Sequence, residues 1–120
     1  MDPNIDLSGD LRNSDFSGAD LSNADLSGRD LSEADFAAAN LSGADLSDSN
    51  LTNANLRSAI LVEVDLSDAN LTDATLSFAN LTNANLTNAN FSRSNRTGSF
   101  FGGVSGWDTI IGKGTIEGIE

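Results

Sequence analysis

The sequence predicts an all-β solenoid, a chain that bends once every five residues and stacks its coils. Three observations carry that prediction. From Leu11 to Phe91 every fifth residue is Leu or Phe, with Phe at 16, 36 and 91. The residue before each is Asp or Asn, except Ile60 and Thr75, and the residue two before is small, usually Ala, except Arg29 and Val64. After each comes mostly Ser or Thr, then a variable polar residue or Gly. A five-residue step suits neither regular element. On a helix it rotates about 140° from the last, so the Leu row would wind around every face. Asn, Asp, Ser and Thr are also poor helix interiors. On a straight strand an odd step sends successive Leu side chains to opposite faces. A bend in every repeat lets all of them point inward.

Taken in order, residues 1–8 are the ragged first turn: Ile5 and Leu7 keep the character of the repeat, but Leu7 precedes Leu11 by only four. Residues 9–95 form the solenoid. With the central Leu or Phe as position i, the pleat sends i−2 and i inward and i−1 and i+1 outward. The outward Asp/Asn and Ser/Thr suit corners, where their side chains bond nearby backbone groups. Gly18, Gly28 and Gly43 fall at i+2, where a corner calls for positive φ. Residues 96–120 form a capping segment. The composition shifts at Arg96, and the end of a stack of repeats needs covering. Phe100, Phe101, Val104, Trp107, Ile110 and Ile111 are its apolar candidates. Residues 110–116 carry good hairpin chemistry around Gly112, Lys113 and Gly114, although Ile111 and Ile116 keep the five-residue phase and leave degenerate repeats open.

The stretches GADLSNADLSG, GADLSDSNLTNANL and FANLTNANLTNANF resemble the A(D/N)LXX pattern of the pentapeptide repeat family. That resemblance implies a right-handed quadrilateral parallel β-helix with four pentapeptides per coil. On that arrangement residues 9–95 make a little over four coils, a rod roughly 20 Å long. Phe16 and Phe36, twenty apart, would then stack on one another, and Asp45 would lie between Asp25 and Asp65.

Composition narrows the function. The net charge is −12, with no Cys, His or Tyr. So acidic a chain is repelled by nucleic acid phosphates and anionic membranes, so neither is expected as a direct partner. Without His or Cys the usual acyl-transfer constellations cannot be built, and outward Asp is what the repeat places at i−1. No catalytic, cofactor or metal residues are therefore assigned, and no EF-hand or calcium β-roll motif is present. The opening MDPNIDLSGD has no signal-peptide character, so a cytoplasmic protein is expected. The sequon-like triplets, such as Asn50 to Thr52, are by-products of the repeat.

Two departures draw attention. Arg29 occupies an inward slot, where an unpaired charge is expensive, so a local distortion that lets its head reach solvent is expected. Ile60, Val62 and Phe78 are apolar at outward positions and form a candidate partner patch. The leading expectation is thus a structural or protein-binding module. The resemblance also implies a second possibility, a DNA mimic of the kind that binds a type II topoisomerase. Asp15, Asp25, Asp35 and Asp45 would be its acidic surface, although Asp gives way to Asn later in the chain. Ice binding is a weaker third, since the i+1 positions are mixed. Either a monomer or a dimer through the C-terminal end fits the sequence.

Overall fold

A computed structural model describes residues 1–112 of the chain. Parallel bridges join residues twenty apart, from Asp15 with Asp35 to Asn85 with Ser105. Each pentapeptide therefore lies on the fourth one before it. Three backbone bonds per repeat tie coil to coil. The Leu21 N–H donates to the Asn40 carbonyl (2.7 Å), the Asn23 N–H to Ser42 (2.8 Å) and the Asn40 N–H to Ala19 (2.9 Å), and the pattern recurs along the rod. This is how such short extended segments satisfy their peptide groups.

Within each repeat the central residue's carbonyl accepts from the N–H three residues on, as Leu21 does from Ala24 (3.1 Å). Every fifth residue from Asn13 to Gly103 has a φ between 55° and 72°. These are type II turns, which need positive φ at their third residue. The requirement is thus general, not confined to Gly18, Gly28 and Gly43. Asn and Asp, which tolerate this conformation, take many corners; Glu33, Ala38, Ser58, Glu63, Phe78 and Arg93 take it without that help.

The core is the stacked Leu and Phe columns with Ala between them, almost all fully buried. Phe16 and Phe36 stack at 5.3 Å between ring centroids. At two buried places where Ser replaces Ala inside, the hydroxyl is satisfied locally: Ser49 donates to Leu46 (2.6 Å) and Ser94 to Phe91 (2.8 Å).

The coil geometry does not stop at residue 95. Arg96 takes the central inward place and is buried, and Asn80 bridges Phe100 as Asn85 bridges Ser105. Ser99, Phe101 and Gly103 supply what the repeat requires, a small inward residue, a bulky one and a left-handed corner, without the usual letters. A single turn of 3-10 helix, Trp107–Thr109, then adds one residue, so Asn90 bridges Ile111 and Ile110 is the buried residue. The Thr109 hydroxyl accepts the Asn88 N–H (2.8 Å), a donor that bonds a backbone carbonyl at the equivalent corners. The rod measures 39 × 21 × 20 Å, longer than residues 9–95 alone imply.

The cap differs from its expected membership. Phe101, Val104 and Trp107 pack half-buried on the core, with edge-on contacts from Phe91 to Phe101 and from Phe101 to Trp107. Phe100 and Ile111 do not join them: both occupy the outward i−1 register and are 65% and 55% exposed. The hairpin expected at 110–116, and Ile116 with it, lies for the most part outside the described residues.

An arginine takes an inward place near each end, Arg29 half-buried and Arg96 buried. The Arg29 guanidinium donates to the carbonyls of Leu7 and Gly9, both at 2.7 Å, and so ties down the first turn. The Asp2 N–H meets the Asp20 carbonyl (2.9 Å), one residue out of the usual phase, which absorbs the four-residue step before Leu11. At the other end Arg96 lies 4.9 Å from the centre of the Phe91 ring and bonds the Gly112 carbonyl (3.4 Å). Burial lowers its pKa to about 10, so it stays cationic at neutral pH.

Candidate protein-binding surface

The outward positions are mostly occupied with one another. At i−1 an Asp or Asn oxygen accepts the N–H of residue i+1 and, where that residue is Ser or Thr, often its hydroxyl. Asp15 accepts the Ser17 N–H (3.0 Å) and hydroxyl (2.6 Å), and Asn50 accepts both from Thr52 (3.1 and 2.6 Å). The sequence rule Asp/Asn, Leu, Ser/Thr is this Asx turn written out. The same bonds hold the Asp15 and Asp25 carboxyls below their ordinary value, the Ser17 and Ser27 hydroxyls acting most strongly.

The candidate acidic residues fall in two columns rather than one surface. Asp15 stacks with Asp35, and Asp25 with Asp45 and Asp65. The columns stand half a coil apart, and each passes upward into uncharged residues, Asn55 and Thr75 in one and Asn85 and Ser105 in the other. From Ala74 to Trp107 there is no acidic residue at all. Among the described residues no group of His, Cys, Asp or Glu is placed to hold a metal ion, and no helix is long and apolar enough to cross a membrane.

The three residues of the expected patch spread across one face. Ile60 stands in its middle, 42% exposed, in the column Asp20, Asn40, Ile60, Asn80, Phe100. Val62 is half-buried on one side, in a shallow groove of about 190 Å³ lined also by Ser22, Asn23, Ser42, Gly43 and Glu63. Phe78, 52% exposed, occupies the opposite corner one coil up, with the Arg57 guanidinium 5.0 Å from its ring centre. Its ring leans over Gly98, where an added Cβ would stand 2.6 Å from a ring carbon. The sequence alone places Phe100 with the C-terminal cap. It lies forty residues, two coils, beyond Ile60 in the same column, a phase that was available by counting past Arg96.

A stack of short parallel bridges with a buried apolar interior and mostly polar corners defines a β-helical repeat protein. Pentapeptide repeats match residues 5–28, 30–68 and 69–105. The chain belongs to the pentapeptide repeat family. Among solved structures it is similar to a pentapeptide repeat protein of the Arabidopsis thaliana thylakoid lumen, at 38% identity and a TM-score of 0.64, over 75% of this chain and 59% of that one. A pentapeptide repeat protein from Nostoc is 39% identical with a TM-score of 0.47, over 73% and 64% of the two chains. QnrB1, a plasmid-mediated fluoroquinolone resistance protein, is 19% identical with a TM-score of 0.41, over 84% and 71%. This chain thus spans less than two thirds of the Arabidopsis and Nostoc proteins. No curated protein matches it.

Proposed function

We propose that this chain is a non-enzymatic protein-binding rod, a right-handed, four-sided pentapeptide coil that offers one low-charge face to a protein partner. One observation carries the proposal: Ile60, Phe78 and Phe100 are exposed on a face where Asp20 and Asn80 are already engaged by Ser22 and Thr82 and Asn40 by the Ser42 N–H. Polar groups already paired add little on binding, whereas aromatic side chains beside an arginine are frequent interface anchors. A lack of His and Cys and a shallow groove open to water rather than a secluded pocket both support a role other than catalysis.

A DNA mimic directed at a type II topoisomerase draws support from the net charge of −12. The distribution of that charge tells against it, because a mimic acts through its field along its length and the acidic columns end partway. Ice binding draws less support still, since the Thr52 and Thr72 hydroxyls are donated to Asn50 and Asn70, both at 2.6 Å.

The test is capture from an extract of the source organism by the native chain and by one carrying Ile60→Asn with Phe78→Asn. Asn is what the repeat uses elsewhere at both places, as at Asn40 and Asn83, so the urea midpoint should hold. Loss of capture at an unchanged midpoint supports the proposal. Equal capture by both proteins removes this face from the function.

A further inference from the structure

The column Asp20, Asn40, Ile60, Asn80, Phe100 runs up one face, each residue bridged to the next. Ile60 lies one coil below Asn80 and Phe100 one coil above, and both are exposed. Phe78 sits at the level of Asn80 on the preceding corner. The apolar residues are therefore arranged symmetrically about Asn80. We infer that this face pairs with the same face of a second copy of the chain, antiparallel, about a twofold axis lying across the rods at Asn80. The inference rests on the proposed protein-binding role and names the partner of this face.

Such an axis turns one coil up into one coil down. It sets Ile60 on the partner's Phe100, and Phe100 on the partner's Ile60. Phe78 meets the partner's Phe78 beside the axis. Val62 faces the partner's Gly102 and Glu63 the partner's Gly103, so neither meets a like charge or a bulky side chain. Asn80 meets the partner's Asn80, and an amide can both donate and accept. Twofold contacts are the commonest in oligomers but require a self-complementary patch. The columns of Asp15 with Asp35, and of Asp25 with Asp45 and Asp65, do not offer one, because like charges set together are strongly disfavoured.

Charge also selects the direction. The acidic residues crowd the N-terminal coils, and none occurs from Ala74 to Trp107. Antiparallel pairing centred on Asn80 sets the Ile60 coil, which carries Glu63, Asp65, Asp68 and Asp73, against the partner's acid-free coil, and points the N-terminal acidic ends apart. A parallel pair would set Asp20 against the partner's Asp20 and lay the acidic coils side by side. The contact is small. With the rod 20–21 Å across, three coils at about 4.8 Å each cover roughly 300 Å² per partner, well under the ~800 Å² of a standard interface. The dimer is accordingly a weak one that forms at high concentration.

Sedimentation of the full chain from ~10 μM to ~1 mM, at ~0.15 M and ~0.5 M salt, reads this out. A reversible dimer is expected, stronger at the higher salt because screening weakens repulsion between two acidic rods. Ile60→Asp and Phe100→Arg should each weaken it at least ~tenfold. The two together in one chain should restore it, since each introduced carboxylate then meets an introduced guanidinium across the axis. Unchanged urea midpoints establish that all three variants remain folded. A chain that stays monomeric throughout overturns the inference, as does a dimer indifferent to the single substitutions. Failure of the double substitution to restore pairing overturns the antiparallel register. If the chain is monomeric yet captures a different protein through this face, only this inference falls; if it is monomeric and the face is dispensable for capture, the protein-binding proposal falls too.

Discussion

At the scale of the residue, the corner is where the fold makes its strictest demand. A left-handed backbone costs a residue with a Cβ roughly 1–2 kcal/mol, and for a bulky side chain it is unusual. Phe78 adopts it at φ 62°, and its ring finds room because Gly98 lies in the next coil. Gly18 and Gly98 share the same corner column and nearly the same φ, 67° and 72°. A Cβ on Gly18 meets nothing within 4 Å, whereas one on Gly98 stands 2.6 Å from the Phe78 ring. Gly18→Ala should therefore cost only the conformational penalty, about 1 kcal/mol. Gly98→Ala should cost about 1 kcal/mol more, because the ring must move off Arg57 and the corner. Adding Phe78→Asn should remove that excess. Urea midpoints of the four proteins check it, and equal costs at the two glycines would show that the ring is not held where it lies.

At the scale of the repeat, the Asx turn couples stability to pH. The carboxyls of Asp6, Asp15, Asp20, Asp25 and Asp30 are held below 3.8, first by a Ser hydroxyl and then by a backbone N–H, and the Arg12 side chain pulls Asp10 down to about 2. A carboxyl whose folded pKa is depressed binds its proton more readily when unfolded. Its contribution is fully present above the unfolded value, near pH 4, and is lost as pH falls through the folded values toward about 2. The native urea midpoint should fall across that window. A chain with Asp15, Asp20, Asp25 and Asp30 all changed to Asn keeps the acceptor oxygen, as Asn50 and Asn70 do, but cannot be protonated there. Its midpoint should match the native one at pH 7 and fall less between pH 4 and 2. A variant as acid-labile as the native chain would place the proton-sensitive groups elsewhere. The repeat itself was legible because one residue type recurs at each role; its five-step phase and the twenty-residue Phe16–Phe36 spacing reached the structure intact. The segment after Arg96 was not, because a Phe serves equally at an inward or outward place. Phe100 and Phe101 are adjacent and alike in sequence, and only the pleat separates the exposed one from the packed one. Arg29 was legible as an anomaly but not as a tether, since its acceptors are backbone carbonyls that carry no sequence signature.

At the scale of the whole molecule, the rod is a stack in which each coil touches only its neighbours, so the cost of a defect depends on where it lies. Leu11 and Leu51 occupy the same place in the repeat, two coils apart, and are 5% and 0% exposed. Leu51 packs between coils on both sides. Leu11 has below it only the first turn, which is held through Arg29. Leu51→Ala should cost about 2–5 kcal/mol, the range of a well-packed core truncation, with Leu11→Ala at or below the low end. The two should also differ in reach. A central defect weakens the contacts that every outer coil depends on, so hydrogen exchange should quicken from Leu21 through Leu81. Leu11→Ala should quicken exchange mainly at Asn13, Phe16 and Gly18, whose N–H groups hold the first coil to the second. Arg29→Ala should act on the same amides, because it frees the first turn without opening the core. The urea midpoint reports the first difference and residue-resolved exchange the second. If Leu11→Ala or Arg29→Ala moved the midpoint as far as Leu51→Ala, the rod would unfold as one indivisible block, and the end arginine would be as important to it as the central core.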